Sequence, residues 1–348
     1  MPPSSPRALP CPHFPDCVGC ALIGKPYTQQ LALKRERVRE ALGRYPSLAA
    51  VAVPELVGAP HPFGYRNQAK LVARRAGRGV LLGIYRPGTH QVVDVTQCPV
   101  HHPLINPILQ ALTALVERYE IPTYDERSGH GVLRYVVVRV SQWSRSAQII
   151  LVTRGRTLPH ARELVRALLR LRGVKSVVQN INDTPGNVIL GSEFIALTRE
   201  TALLEHIGVF KLKTHPGAFV QANVAVARKL YEQALRWAAP TDEETVVDLY
   251  CGIGALSCYL ATAAKLVIGI EASSVAVVDA KANIRLNGFH NLRFHCGDAA
   301  AVLAEQARPP VRVDVITLNP PRKGADAATR AAIVACRPRR MASPAARM

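Results

Sequence analysis

Alternation is the feature that most constrains this chain. From Thr245 onward, short β-branched runs and helical segments take turns, reading TVVDLYCGIGALS, KLVIGIE, SSVAVVDAKANIRLNG, LRFHCGD, AAAVLAEQA and VDVITLNPP. A strand–helix–strand order needs a crossover at each step, and crossovers make neighbouring strands parallel. This stretch therefore predicts an α/β, Rossmann-like, doubly wound parallel sheet. In such sheets ligands bind beyond the carboxyl ends of the strands, so the residues that close each strand are the ones to inspect.

Asp248 closes the first strand, and Gly252 and Gly254 follow in the turn. Glycine lets the backbone approach a ligand closely, and the next helix presents its N-terminus. Glu271 closes the second strand, 19 residues after Gly252, where a carboxylate can accept hydrogen bonds from both hydroxyls of a ribose. Asp298 closes the third strand, a place suited to a contact with adenine. DLYCGIG is not the GxGxxG of a dinucleotide enzyme. The turn and the acidic strand end together favour S-adenosyl-L-methionine (SAM) over NAD, with another nucleoside as the alternative. Asn319-Pro320-Pro321-Arg322 follows the fourth strand and would lie over the target of the reaction, its prolines stiffening the loop, unless it is an ordinary strand-to-turn signal.

Two zones precede this sheet. The first, 1–102, carries four cysteines, a helix expected over Thr28–Leu42, and two strand-like runs, NQAKLVAR and GVLLGIYR. The second, 103–205, opens with Ile105, Ile108, Leu109, Leu112 and Val116 at helical spacing. It continues with LRYVVVRVS, AQIILVTR, a helix over Ala161–Leu171, and KSVVQNI before a turn, which describes a β-rich domain suited to RNA binding. The third zone, 206–348, starts with a helix at Val224–Ala238 and holds the parallel sheet.

The chain of 348 residues carries a formal net charge of +19, with 34 Arg and 10 Lys against 25 acidic residues. So large a surplus points to a polyanionic partner held through phosphates, and Arg is the residue suited to bidentate phosphate contacts. A merely basic soluble surface is the bland alternative. No apolar run reaches the roughly 18–20 residues that span a bilayer, and Met1–Pro10 lacks the apolar stretch of a signal peptide. A cytoplasmic location without membrane association is expected, and a monomer.

Disulfides are rare in such a compartment, so the eight cysteines need another account. Cys11, Cys17 and Cys20 are spaced C-x5-C-x2-C, and Cys98 stands far along in TQCPV. Four thiolates can hold a [4Fe–4S] cluster or one zinc; a triplet with a distant single departs from the two CxxC pairs usual for zinc and favours iron–sulfur. Four unrelated buried cysteines remain the alternative. Cys251, Cys258 and Cys296 are expected in the core.

DLYCGIGALS, GIEASSVAVVDAKANIRLNG and NPPRKG together resemble the RNA uracil-C5 methyltransferases that act on tRNA and 23S rRNA. CPHFPDCVGC, FGYRNQAKL, GIYRPGTHQVVDVTQCPV, VLRYVVVRV and PGAFVQAN look like that family's blocks in the family's order. The resemblance covers nearly the whole chain, although CVGC stands where the family usually has CGGC. It implies SAM contacts at Gln221, Tyr250, Glu271 and Asn319, to which the fold adds Gly252 and Asp298, and a [4Fe–4S] cluster on Cys11, Cys17, Cys20 and Cys98. NPPR in place of DPPR, and the lack of a β-barrel before Cys11, resemble the shorter 23S rRNA branch.

The family's chemistry is methyl transfer to C5 of uridine. A cysteine thiolate adds at C6, the resulting enolate takes the methyl group from SAM, and a base removes the C5 proton as the thiolate leaves. The target base must also leave its stack. By resemblance the nucleophile follows a fifth strand in an SCNP-like block soon after a proline matching Pro338, which places it near Ala345 or Ala346. Cys336 comes about ten residues too early, and the family's late glutamate base has no counterpart. No catalytic residue is therefore assigned. Only four of seven sheet strands are evident, MASPAARM is a poor fifth, and the fourth strand is expected as an exposed edge. The expectation is a C-terminally truncated, inactive member. A non-catalytic RNA-binding protein, and a SAM enzyme acting on an amine through NPPR, are the alternatives.

Overall fold

The computed structural model describes residues 10–77, 79–186, 188–308, 311–321 and 323–343. The chain divides into two compact units, 1–203 and 204–348.

The first unit contains α1 (Tyr27–Gly43), β1 (Gln68–Ala76), β2 (Gly79–Tyr85), β3 (Val92–Asp94), α2 (Ile105–Arg118), β4 (Leu133–Val140), β5 (Ala147–Thr153), α3 (Ala161–Leu168), β6 (Val174–Ile181) and β7 (Glu193–Ala196). Its strands form one sheet in the order β3-β2-β1-β4-β5-β6-β7. All pairs are antiparallel except β5 with β6. That one parallel pair is the one joined by a helix, α3, as a crossover requires. The sheet runs across 102/103, so the expected boundary there is corrected: zones one and two share a sheet because β1 pairs with β4, Leu71 opposite Val136.

Alternation along the strands sends side chains to two faces. Leu71, Val136, Val138, Ile149 and Leu151 pack with Ile105, Leu109, Leu112 and Val116 of α2 and with α3. Val72, Tyr135, Val137, Ile150 and Val152 form a separate cluster with Ile189 and Leu190. β4 and β5 are consequently buried at every position, which is why both carry long apolar runs, VVV and IILV, with Arg134, Arg139 and Gln148 buried among them.

The second unit contains β8 (Leu203–Ile207), β9 (Phe210–Thr214), α4 (Val224–Ala238), β10 (Thr245–Leu249), α5 (Ala255–Leu260), β11 (Leu266–Glu271), α6 (Ser274–Asn287), β12 (Leu292–Cys296), α7 (Ala299–Gln306), β13 (Val315–Leu318), α8 (Ala327–Cys336) and β14 (Arg340–Ala342). The five later strands form a parallel sheet in the order β12-β11-β10-β13-β14. Val246, Val267 and Val315 face the cluster containing α4 and α5, while Val247, Ile268 and Ile316 face Leu303 of α7 and Ile333 of α8.

β14 overturns the expectation that the fourth strand is an open edge. It pairs with β13, Val315 opposite Arg340 and Thr317 opposite Ala342. Arg340 holds it there, donating from Nη2 to Glu244 Oε2 at 2.5 Å and from Nε to the Ala238 carbonyl at 3.1 Å. A short strand pinned by a charge-assisted bond has no signature in apolar periodicity. Pro344, Ala345 and Ala346 lie outside the described residues. The β8–β9 hairpin is finished by α6, where Asn283 and Asn287, one turn apart, accept from the amides of Lys213 (2.8 Å) and Lys211 (2.9 Å). Among the described residues no helix is long and apolar enough to cross a membrane.

Candidate SAM site and cysteine tetrad

The strand order of the second sheet places its switch point between β10 and β13: the chain steps outward from β10 to β12, then returns to the other side of β10. The carboxyl ends of these strands are the ligand edge of such a sheet.

Tyr250, directly after β10, adopts φ +59, and Gly252 (φ +57) and Gly254 (φ +80) follow. A Cβ at Gly252 would meet nothing within 4 Å, so this turn borders open space. A Cβ at Gly254 would lie 2.4 Å from the Phe294 ring, so that glycine is required by packing as well as by its backbone. The Gly252 amide donates to Glu271 Oε2 at 3.0 Å, and the Ser273 amide donates to Oε1 at 2.9 Å. These bonds fix the carboxylate at the end of β11 and leave lone pairs for further donors.

Asp298 lies two residues beyond β12 and caps α7, its Oδ1 accepting from the amides of Ala300 and Ala301 at 3.0 Å each. Asn319 directly follows β13, and its amide donates to the Leu249 carbonyl at 3.3 Å. Arg322 of the NPPR motif lies outside the described residues. Gln221, before α4, is hydrogen-bonded to the buried Tyr231, whose phenol is raised by burial and then by Asp248. The Tyr250 hydroxyl reaches Thr329 of α8 at 3.4 Å. Gly252 and Glu271 are thus in direct contact, Tyr250 and Asn319 flank the switch point, and Asp298 and Gln221 stand on neighbouring elements.

Sequence reading treated Asp248 only as the end of a strand. It is buried, accepting from Ser257 Oγ at 2.6 Å and Thr317 Oγ1 at 2.7 Å, and so ties α5 and β13 to β10. Burial, with a contribution from Glu271, pushes its carboxyl up to about 6 despite the two hydroxyl donors. An acid at a strand end before a glycine turn is a usable signal for such a tie; its hydroxyl partners, 9 and 69 residues away, carry none.

Three thiols of this unit are poor nucleophiles as placed. Burial raises Cys336, raises Cys258 to about 12, and raises Cys251 well above the ordinary thiol range. Cys258 is in the core as expected and Cys251 is half-buried beside it, but Cys296 is exposed at the end of β12, where a residue on the sheet edge leaves the packed layer.

In the first unit, Cys11, Cys17, Cys20 and Cys98 lie near enough to influence one another electrostatically. Cys20 is raised by burial and then by Cys98, with smaller effects of Cys17 and Cys11, while Arg66 opposes. Cys98 is raised by burial and feels Cys17 and Cys11, and the Val100 and His101 amides point at it. Among the described residues no group of three or more His, Cys, Asp or Glu side chains is gathered as the ligands of a metal ion.

Comparison with known proteins supplies the context for this geometry. An RNA methyltransferase of Geobacter sulfurreducens is 41% identical over 332 residues, covering 95% of this chain and 67% of that protein. One of Halalkalibacterium halodurans is 37% identical, covering 95% and 73%. The crystal structure of the Pyrococcus abyssi tRNA (uracil-54, C5)-methyltransferase in complex with S-adenosyl-L-homocysteine shares the fold, with a TM-score of 0.73 at 23% identity over 94% of this chain and 76% of that one. The family model described as tRNA (uracil-5-)-methyltransferase matches residues 26–335, and the chain belongs to that family.

Proposed function

We propose that this chain binds SAM at the carboxyl edge of its parallel sheet and serves methylation of C5 of a uridine in RNA. The observation that carries the reading is the convergence of the open Gly252 turn on a fixed Glu271 carboxylate at the switch point. In this reading Glu271 accepts from the ribose hydroxyls, Asp298 lies toward the adenine, and Gln221 and Tyr250 complete the pocket. Asn319 and the two prolines after it face the target base. SAM supplies the electrophilic methyl group. The net charge of +19 supports an RNA partner, and NPPR supports 23S rRNA over tRNA.

The same family reading assigns a [4Fe–4S] cluster to Cys11, Cys17, Cys20 and Cys98. Its support is the mutual influence of the four thiols and the amides directed at Cys98, which suit a sulfur-ligated cluster. A four-iron cube reaches ligands more widely spaced than those of one ion. Methyl transfer to C5 needs no electron transfer, so the role is structural or RNA-orienting.

The burial of the Cys251, Cys258 and Cys336 thiols favours a second reading, in which the chain holds SAM and RNA and these thiols take no part in methyl transfer. Calorimetric titration with SAM, and transfer of labelled methyl from SAM to unmodified 23S rRNA and tRNA, test both. SAM binding that Glu271→Ala weakens by about tenfold or more supports the site. Absence of SAM binding overturns it. Methyl incorporation into rRNA that survives Cys336→Ser supports the enzyme reading with a nucleophile other than Cys336. RNA and SAM binding without incorporation supports the second reading.

A further inference from the structure

A pocket of about 460 Å³ opens in the first unit, its lining including Leu104, Pro107, Ile108, Arg145, Leu171 and Arg172. Three segments build it: the first turn of α2, the β4–β5 turn, and the loop from α3 to β6. They meet at Gly173 (φ +84), where a Cβ would come within 2.9 Å of the Arg145 carbonyl and 3.1 Å of the Leu104 side chain. The volume is that of a small-ligand site, for which about 300–1,000 Å³ is usual.

The lining has a consistent character. Leu104, Pro107, Ile108 and Leu171 give an apolar floor, Arg145 and Arg172 give exposed guanidinium groups, and no acidic residue takes part. Arg145 holds φ +51, a left-handed conformation that L side chains rarely adopt. The Leu104 amide donates to His102 Nδ1 at 3.2 Å. Burial, and then Arg145, lower the His102 pKa, so the imidazole stays neutral while the two arginines carry the charge. Two residues before Arg145, Trp143 is 53% exposed on the same turn. An apolar floor beside two arginines suits a base with its phosphate, a combination used to hold single-stranded nucleic acid.

We propose that this pocket takes one unstacked nucleotide of the RNA, its base against Leu104, Pro107 and Leu171 and its phosphate against Arg145 and Arg172. The proposal rests on the reading of RNA as partner and adds to it a nucleotide subsite in the first unit, apart from the base to be methylated.

The test is fluorescence anisotropy of a labelled, uridine-rich single-stranded RNA oligonucleotide with the full chain, between about 50 and 200 mM salt. Arg145→Gln/Arg172→Gln is expected to weaken binding roughly tenfold and to flatten the salt slope by about 0.7, the value for one phosphate on a single strand. Pro107→Trp fills the pocket without changing charge and is expected to weaken binding by about tenfold with the slope unchanged. Lys34→Gln/Arg37→Gln on α1 removes the same charge elsewhere and should have the smaller effect. Wild-type affinity in both pocket variants overturns the subsite while leaving RNA as the partner. Failure of the wild-type chain to bind the oligonucleotide at low salt overturns the RNA reading itself. If Pro107→Trp melts early, the arginine pair, on the surface, decides.

Discussion

In the first unit, β4 and β5 are buried from end to end, Arg134 and Arg139 included, and neutral amides on the neighbouring β6 bind the loops beside them. Asn180 donates to the carbonyls of Gly191 (3.0 Å) and Glu193 (2.9 Å) and accepts from the Gly191 amide (2.8 Å). Gln179 donates to Thr153 Oγ1 at 2.8 Å and to the Arg156 carbonyl at 3.1 Å. These side chains staple irregular backbone onto the sheet. In the second unit the equivalent staple is Asp248, an ionisable acid at the carboxyl edge of the sheet, beside the glycine turn. The contrast teaches that one task, tying segments to a buried sheet, has opposite consequences for these two kinds of staple. A neutral amide with its bonds satisfied is indifferent to pH, whereas a buried carboxyl makes the ligand edge respond to it.

The largest effect is expected from Gly254→Ala. The added methyl meets the Phe294 ring in a left-handed position, and overpacking with strain together cost about 3–5 kcal/mol. Urea unfolding followed by SAM titration reads this; a variant with wild-type stability would show that the turn is not fixed by packing. The next effect sharpens the contrast through pH. The folded Asp248 carboxyl titrates at about 6, above its ordinary 3.8, so the folded state binds this proton more tightly. Its contribution to stability is full below about pH 4 and is lost as pH rises through 6, by up to about 3 kcal/mol. Asp248→Asn should remove this decline, seen as the difference between wild-type and variant unfolding free energies at pH 4.5 and 7 (roughly the two ends of that window). Parallel pH curves for the two proteins would break the comparison.

The smallest effects come from a matched pair. Asn180→Ala and Asn283→Ala each strand buried main-chain groups, at a cost of about 1–3 kcal/mol. Asn283 also donates to the Ile253 carbonyl in the glycine turn, at 3.1 Å. Only Asn283→Ala is therefore expected to weaken SAM binding as well. Equal losses of SAM affinity in the two variants would show that the staples of the first unit also govern the ligand edge.

The elements legible in the sequence were those with a period. The helix at Val224–Ala238 and the apolar positions of α2 are found where spacing put them, because a helix that buries one face must repeat its apolar residues. Glu271 and Asn319 were legible as strand ends, and both lie on the carboxyl edge of the sheet. β3 and β14 were not legible: each is three residues long, too short to show a period. The joining of the first two zones was hidden as well, since a β1–β4 pair is a contact between residues far apart in the chain.

The sequence by itself determined the parallel order of the second sheet, the acid and glycines at its edge, and the basic character that calls for a polyanion. These follow from local pattern and composition, which each segment carries whatever its neighbours do. Only the tertiary structure decided that Asp248 is a buried, ionisable tie, that Cys296 is exposed, that Arg340 pins a fifth strand, and that Arg145 and Arg172 share a pocket with α2. Burial and pairing are properties of the assembled chain. They depend on partners up to about a hundred residues away, such as Ala238 and Arg340, 102 apart, which no local pattern specifies.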